Sequence, residues 1–316
     1  MKMIYFIKNF SGLFLISLLV NGQEKETLAK QLGYPGDAKL LIIHADDIGL
    51  SHSVNKASIQ AFEKNGITSG SIMVPCPWFF EFAEYYKEHQ DLDIGVHITL
   101  TAEWDDFKWD GVSPSSEIPS LLNEEGYFYA SVEEVVKNAD PLEVGKEIRA
   151  QIKRAIAFGI NPTHIDTHMG TVAATPEFIQ EYINAGKEFN IPVFILSYLV
   201  QQAPQIKELT EPDQIYVDNL FMITTGTAPS EWPAAYKKII ENVKPGLNEL
   251  IVHLAIDNAE MQAISKNHPD FGSAWRQRDY DCMVSDEFKE VIKKINIYLV
   301  TWKEIKELKN RDAVTQ

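Results

Sequence analysis

Four consecutive aliphatic residues, Leu40-Leu41-Ile42-Ile43, run straight into His44-Ala45-Asp46-Asp47-Ile48-Gly49-Leu50. A continuous apolar run of strand length, as opposed to an alternating one, belongs to a strand covered on both faces. This strand ends in two adjacent carboxylates, a glycine and a polar turn. Two ionised groups side by side at the end of a buried strand repel each other and are costly to desolvate. Capping the helix expected over about 52–65 explains one acid at most, and Ser51 or Ser53 serves as well. A bound cation together with a working base accounts for both.

The rest of the sequence repeats this strand-then-helix alternation. Strands are expected at about 39–44, 67–74, 94–100, 163–167, 192–196, 215–223 and 249–255, with a last short one at 298–300. Amphipathic helices are expected at 52–65, 78–89, 141–158, 176–189, 231–243 and 286–295, and a polar loop fills the stretch before the last of these. Gly66 and Gly159 stand where helix ends are expected. A long connection, 101–130, interrupts the pattern after the third strand. No repeat, low-complexity tract or linker divides the chain. Seven or eight βα units imply a parallel sheet, either open and doubly wound or closed. No glycine-rich phosphate loop follows the first strand, so a dinucleotide fold loses its main support. The expectation is an α/β chain forming an irregular (β/α) barrel of seven to eight parallel strands in a single domain.

Residues 1–22 have the three parts of a signal peptide: two early lysines, a short apolar core at 13–20 and a small residue near the end. That core is too short to span a membrane comfortably. The expectation is a domain over 23–316, exported to a periplasm or secreted, with no stable membrane insertion. The formal net charge of -16 argues against nucleic acid and anionic membranes as partners. A homo-oligomer is compatible with the sequence. Cys76 and Cys282 are either a disulfide or two buried thiols.

In parallel α/β folds, chemistry belongs at the C-terminal strand ends. The unusual residues fall there: Asp46-Asp47 on the first strand, His97 and Thr99 on the third, His164, Asp166 and His168 on the fourth, and His253 on the seventh. A lone histidine on an apolar strand is usually a hydrogen-bonded core residue. Four strands each delivering His or Asp to one end are harder to explain that way. Two imidazoles and a carboxylate with open positions suit a hydrolytic divalent-metal site.

Four motifs in order, Ala45-Asp46-Asp47-Ile48-Gly49-Leu50-Ser51, Gly66-Ile67-Thr68-Ser69, Gly95-Val96-His97-Ile98-Thr99-Leu100-Thr101 and Pro162-Thr163-His164-Ile165-Asp166-Thr167-His168, resemble the YdjC-like carbohydrate deacetylases. These are distant relatives of the polysaccharide deacetylases. The resemblance implies a β/α barrel, one divalent metal ion (Zn or Mg) and removal of acetyl groups from N-acetylated carbohydrate substrates. By position it implies Asp47, His97 and His168 as metal ligands, Asp46 as general base and His253 as acid. Met169-Gly170-Thr171 and His253-Leu254 depart from the family pattern, which leaves the ligands in place but bears on substrate detail. His164 and Asp166 are candidates for orienting a ligand imidazole. Arg276 or Arg278 is a candidate for orienting the base. Trp104, Phe107 and Trp109 are expected to offer aromatic faces to a sugar, or else to pin the connection onto the barrel. Two other readings compete: another metal-dependent barrel hydrolase or sugar isomerase, and an exported glycan-binding protein without activity.

Overall fold

The aliphatic run at 40–43 lies in β1, Lys39–Ile48, in a computed structural model that describes residues 26–314. The expected signal segment, 1–22, lies outside the described residues. β1 is longer than its apolar run and carries both aspartates inside the strand. It is central because it pairs on both sides. On one side lies β6 (Gly246–His253), in register from Lys39↔Gly246 to Asp46↔His253. On the other, β7 (Ile297–Leu299) borders its first three residues and β2 (Ser69–Ile72) the later ones. Beyond β2 come β3 (Ile94–Ile98) and β4 (Ile165–Thr167), and beyond β6 comes β5 (Asn219–Phe221). All pairings are parallel.

The two edges of this sheet are joined by the segment 192–197. Ile165 N–H donates to Pro192 O and Phe194 N–H to Ile165 O, both at 2.9 Å. On the far side Ser197 N–H donates to Val217 O at 2.9 Å and Val217 N–H to Ile195 O at 3.0 Å. The sheet therefore curls into an irregular barrel. The strand expected at 192–196 survives only as two isolated bridges, at Val193 and Leu196. Pro192 has no N–H to give to a ladder, and the Gln214 amide takes up Val193 O at 3.2 Å and Ile215 O at 2.6 Å. The same irregularity shortens the strand expected at 215–223.

Neighbouring residues of a regular strand point to opposite faces, so Asp46 and Asp47 should not reach one site. A bulge resolves this. Ala45 pairs with Gly70 but Ile48 with Ile72, so β1 spends three residues where β2 spends two. Asp47 takes φ +66° there and swings to the side that Asp46 faces. Gly70 permits the close approach: a Cβ on it would stand 2.7 Å from Ile48 Cδ1 and 3.0 Å from Ala45 O. The helix that follows, His52–Glu63, is capped by Ser51, whose Oγ accepts from Val54 N–H at 3.2 Å. Neither aspartate is used as a cap.

The outward side chains of β1, Leu41, Ile43 and Ala45, pack with Ala57 and Ala61 and with helices Trp232–Asn242 and Ser273–Val284. The inward ones, Leu40 and Ile42, meet Val217, Leu247, Val300 and Trp302 at the lower end of the barrel. Helix Ser273–Val284 occupies a stretch whose sequence reads as polar loop. It lacks a clean apolar face because Arg276 and Asp279 are buried along with Trp275 and Met283. Trp104 and Trp109 are buried to 2% and 3% exposure, so they belong to the core and not to a sugar-facing wall. Trp109 Nε1 donates to Thr101 O at 2.9 Å. The connection they pin is also held by buried Glu147, which accepts from Val112 and Ser113 N–H at 2.8 and 2.9 Å. Cys76 and Cys282 are buried free thiols. Among the described residues no helix is long and apolar enough to cross a membrane.

Candidate active site

Four strands deliver ionisable groups to one end of the barrel: Asp46 and Asp47 on β1, His97 on β3, His168 just after β4 and His253 closing β6. Among the described residues three groups could hold a metal ion, and two of them share His97: Asp47, His97 and His168, and Asp46, His97 and Asp166; the third is His44, His164 and Asp166. In the first, Asp47 Oδ1 lies 3.4 Å from His97 Nε2 and 3.2 Å from His168 Nδ1, and those two nitrogens are 3.3 Å apart. Asp47 Oδ1 is buried and has no hydrogen bond.

The outer sides of these groups are all engaged. His97 Nδ1 lies 2.9 Å from Asp166 Oδ1, which places its proton on that nitrogen and leaves the Nε2 lone pair facing Asp47. His168 Nε2 lies 3.0 Å from Glu103 Oε2, which does the same for its Nδ1. Arg276 Nη2 donates to Asp47 Oδ2 at 2.7 Å. One carboxylate oxygen and two imidazole nitrogens, each turned inward by a partner, fit a divalent cation by number, type and burial.

The charges agree with that fit. Burial works to raise the Asp47 pKa, but the Arg276 guanidinium and both imidazoles hold the carboxyl well below the usual range. Burial opposes protonation of His97, yet Asp166 and Asp46 drive it well above the ordinary value. Glu103 and Asp47 likewise overcome burial at His168 and lift it to about 9. A cluster this anionic draws positive charge, whether proton or metal.

Asp46 stands beside the group without joining it. Its Oδ2 is 3.9 Å from His97 Nε2 and 3.8 Å from His253 Nε2. Burial raises its pKa to about 6, offset in part by His97 and His44. Burial pushes His253 down to about 3, so that ring is neutral near pH 7. Its ring lies 5.1 Å from that of Phe271, and its backbone N–H donates to Asp279 Oδ2 at 3.1 Å. Of the seven non-glycine residues with positive φ among those described, four are asparagine, which tolerates it. The other three are Asp47, Met169 beside His168 and Phe271 beside His253. Backbone strain is thus concentrated at this end of the barrel.

The sequence expectations sort as follows. Asp166 holds the ring of His97, as expected of a residue that orients an imidazole. His164 does not: its ring stacks on Trp302 at 5.0 Å, with Nδ1 on Thr163 Oγ1 at 3.0 Å. Arg276 reaches the carboxylate of Asp47 and not that of Asp46, while Arg278 lies over the Trp232 ring at 4.4 Å. Two further residues, His44 and Glu103, join the site beyond those the sequence singles out. His44 touches both Asp46 and Asp166; it lies two residues before Asp46 on a strand, so strand period alone would have put it in the same file. Glu103 sits in an irregular connection, where no period marks it.

The chain matches the YdjC-like protein family model over residues 40–294. It is 30% identical over 285 residues to a carbohydrate deacetylase of Thermus thermophilus, covering 89% of this chain and 98% of that protein. A chitooligosaccharide deacetylase of Yersinia enterocolitica is 33% identical over 135 residues, 41% of this chain and 49% of the relative. A crystal structure of an Enterococcus faecalis protein superposes with a TM-score of 0.71 at 22% identity, covering 85% of this chain and 99% of that one. That last likeness establishes a shared fold.

Proposed function

The chain belongs to the YdjC-like family, and from that premise we propose that it removes acetyl groups from N-acetylated sugars or oligosaccharides by metal-assisted amide hydrolysis. The observation that carries the reading is the convergence of Asp47 Oδ1, His97 Nε2 and His168 Nδ1, with the separate carboxylate of Asp46 alongside. Asp47, His97 and His168 would hold the cation, zinc or magnesium, which when bound acidifies a water and polarises the acetyl carbonyl.

The protein's own groups then move protons. Asp46, ionised near neutral pH, accepts a proton as the water oxygen bonds to the amide carbon. The C–N bond breaks only once its nitrogen is protonated, because an amide anion is a poor leaving group. Asp46 holds the abstracted proton and returns it to the departing nitrogen, and the neutral ring of His253, 3.8 Å from that carboxylate, lines the path. Asp166, Glu103 and Arg276 hold the inner groups in place. The basic start and apolar core of residues 1–22 support placing the reaction outside the cytoplasm.

The test is acetate release from N-acetylglucosamine oligomers, with free amine measured alongside. The reading expects both in equal amount. Binding of the oligomers with no acetate would favour an inactive glycan-binding protein, and ketose formation would favour an isomerase.

A further inference from the structure

His44 is wholly buried, and the reaction above gives it no role. Its Nε2 faces three oxygens at once: Ser71 Oγ at 3.0 Å, Asp166 Oδ2 at 3.1 Å and Asp46 Oδ1 at 3.3 Å. Its Nδ1 is engaged by Ser69 Oγ at 3.1 Å. The edge of His164 meets the ring at a centroid distance of 5.0 Å, and His164 rests in turn on Trp302. A ring gripped at both nitrogens and braced from below has one orientation available.

The two carboxylates it touches have different work. Asp46 is the proposed base. Asp166 fixes the ring of His97. Both are buried anions, and they repel each other across a short gap unless an N–H lies between them. Asp166 has other anchors, Ser71 Oγ at 2.8 Å and His97 Nδ1 at 2.9 Å. Asp46 Oδ1 has none: it is buried and, apart from its approach to His44, makes no hydrogen bond.

We infer that His44 is a positioning residue that sets the Asp46 carboxylate against the His97 side of the centre through an Nε2–H shared with Asp166. This deepens the deacetylase reading and rests on it. The asymmetry of anchors decides what its loss does. Asp166 and His97 keep each other, so cation binding persists. Asp46 is freed to turn, so the chemical step suffers. Substrate contacts are untouched, so KM holds.

The experiment compares wild type, His44→Ala and His44→Asn for metal content, kcat and KM on N-acetylglucosamine oligomers. Without added cation, NMR of the wild-type histidine nitrogens reads which nitrogen of His44 is protonated. The expected results are a proton on Nε2, unchanged metal content, a kcat for His44→Ala lower by ~10–100-fold, and KM within ~3-fold. His44→Asn, which restores an N–H donor, should recover much of the lost kcat. An unprotonated Nε2 would overturn the inference even if His44→Ala fails to fold. So would an unchanged kcat in His44→Ala, or a folded His44→Asn as impaired as His44→Ala. Absence of acetate release by the wild type itself would instead defeat the deacetylase reading, leaving the shared Nε2–H to be judged by NMR alone.

Discussion

The inner face of β1 serves two opposite regions within a few residues. Leu40 and Ile42 lie at the lower end among Val217, Leu247, Val300 and Trp302. His44 and Asp46, the next two side chains on that face, lie among ionisable groups. Below, the aliphatic contacts are non-directional, and burying one such side chain stabilises the fold by roughly 1.5–3 kcal/mol; the directional contacts there, Trp302 Nε1 to Glu249 Oε2 and Asn248 Nδ2 to Leu40 O, both at 3.0 Å, lie at its margin. Above, buried charges are tolerable only with partners: Asp47 with Arg276, His97 with Asp166, His168 with Glu103. The difference teaches that one strand can separate stability from chemistry by position alone. Damage below should appear as unfolding, and damage above as lost turnover.

The strongest challenge to this comparison is Asp46→Asn. It keeps the shape of the side chain and removes the base. Turnover should fall by roughly 10²–10⁴-fold, while the melting temperature stays the same or rises, because a buried anion has been neutralised. Unfolding of this variant would show that the upper end also carries the fold. Leu40→Ala sharpens the contrast from the other side. It should cost about 2–5 kcal/mol of stability, read by denaturant titration, with kcat and KM per folded molecule unchanged. A change in kcat at full folding would mean that the two ends are mechanically coupled.

How far the sequence reveals each end follows from the same distinction. The lower end was legible because aliphatic runs at strand spacing have one interpretation. The positions of Asp46, Asp47, His97, His168 and His253 were legible because charged and imidazole groups at strand ends stand out against apolar neighbours. Their cooperation was not, since it depends on a bulge, and a bulge is a property of register between two strands. His44 directly follows the apolar run, where a histidine reads as a core residue, although its spacing from Asp46 puts the two in one file. Arg276 or Arg278 was a candidate for Asp46 by place in the chain alone; that Arg276 meets Asp47 instead depends on the turned backbone at Asp47, which no sequence period marks. The strand at 192–196 was overestimated because a side chain, Gln214, competes for its ladder bonds. Trp104 and Trp109 were ambiguous because an aromatic in a long connection has the same signature whether it faces a ligand or the core.

The claim on which the rest depends is that Asp47, His97 and His168 hold one divalent cation. Elemental analysis of protein supplied with zinc or magnesium and then dialysed tests it directly, with wild type, Asp46→Asn and the double variant His97→Ala/His168→Ala measured side by side. The account predicts about one equivalent of metal per chain in the wild type and in Asp46→Asn, and none in the double variant. A wild type without stoichiometric metal, or a folded double variant that retains it, would contradict the account.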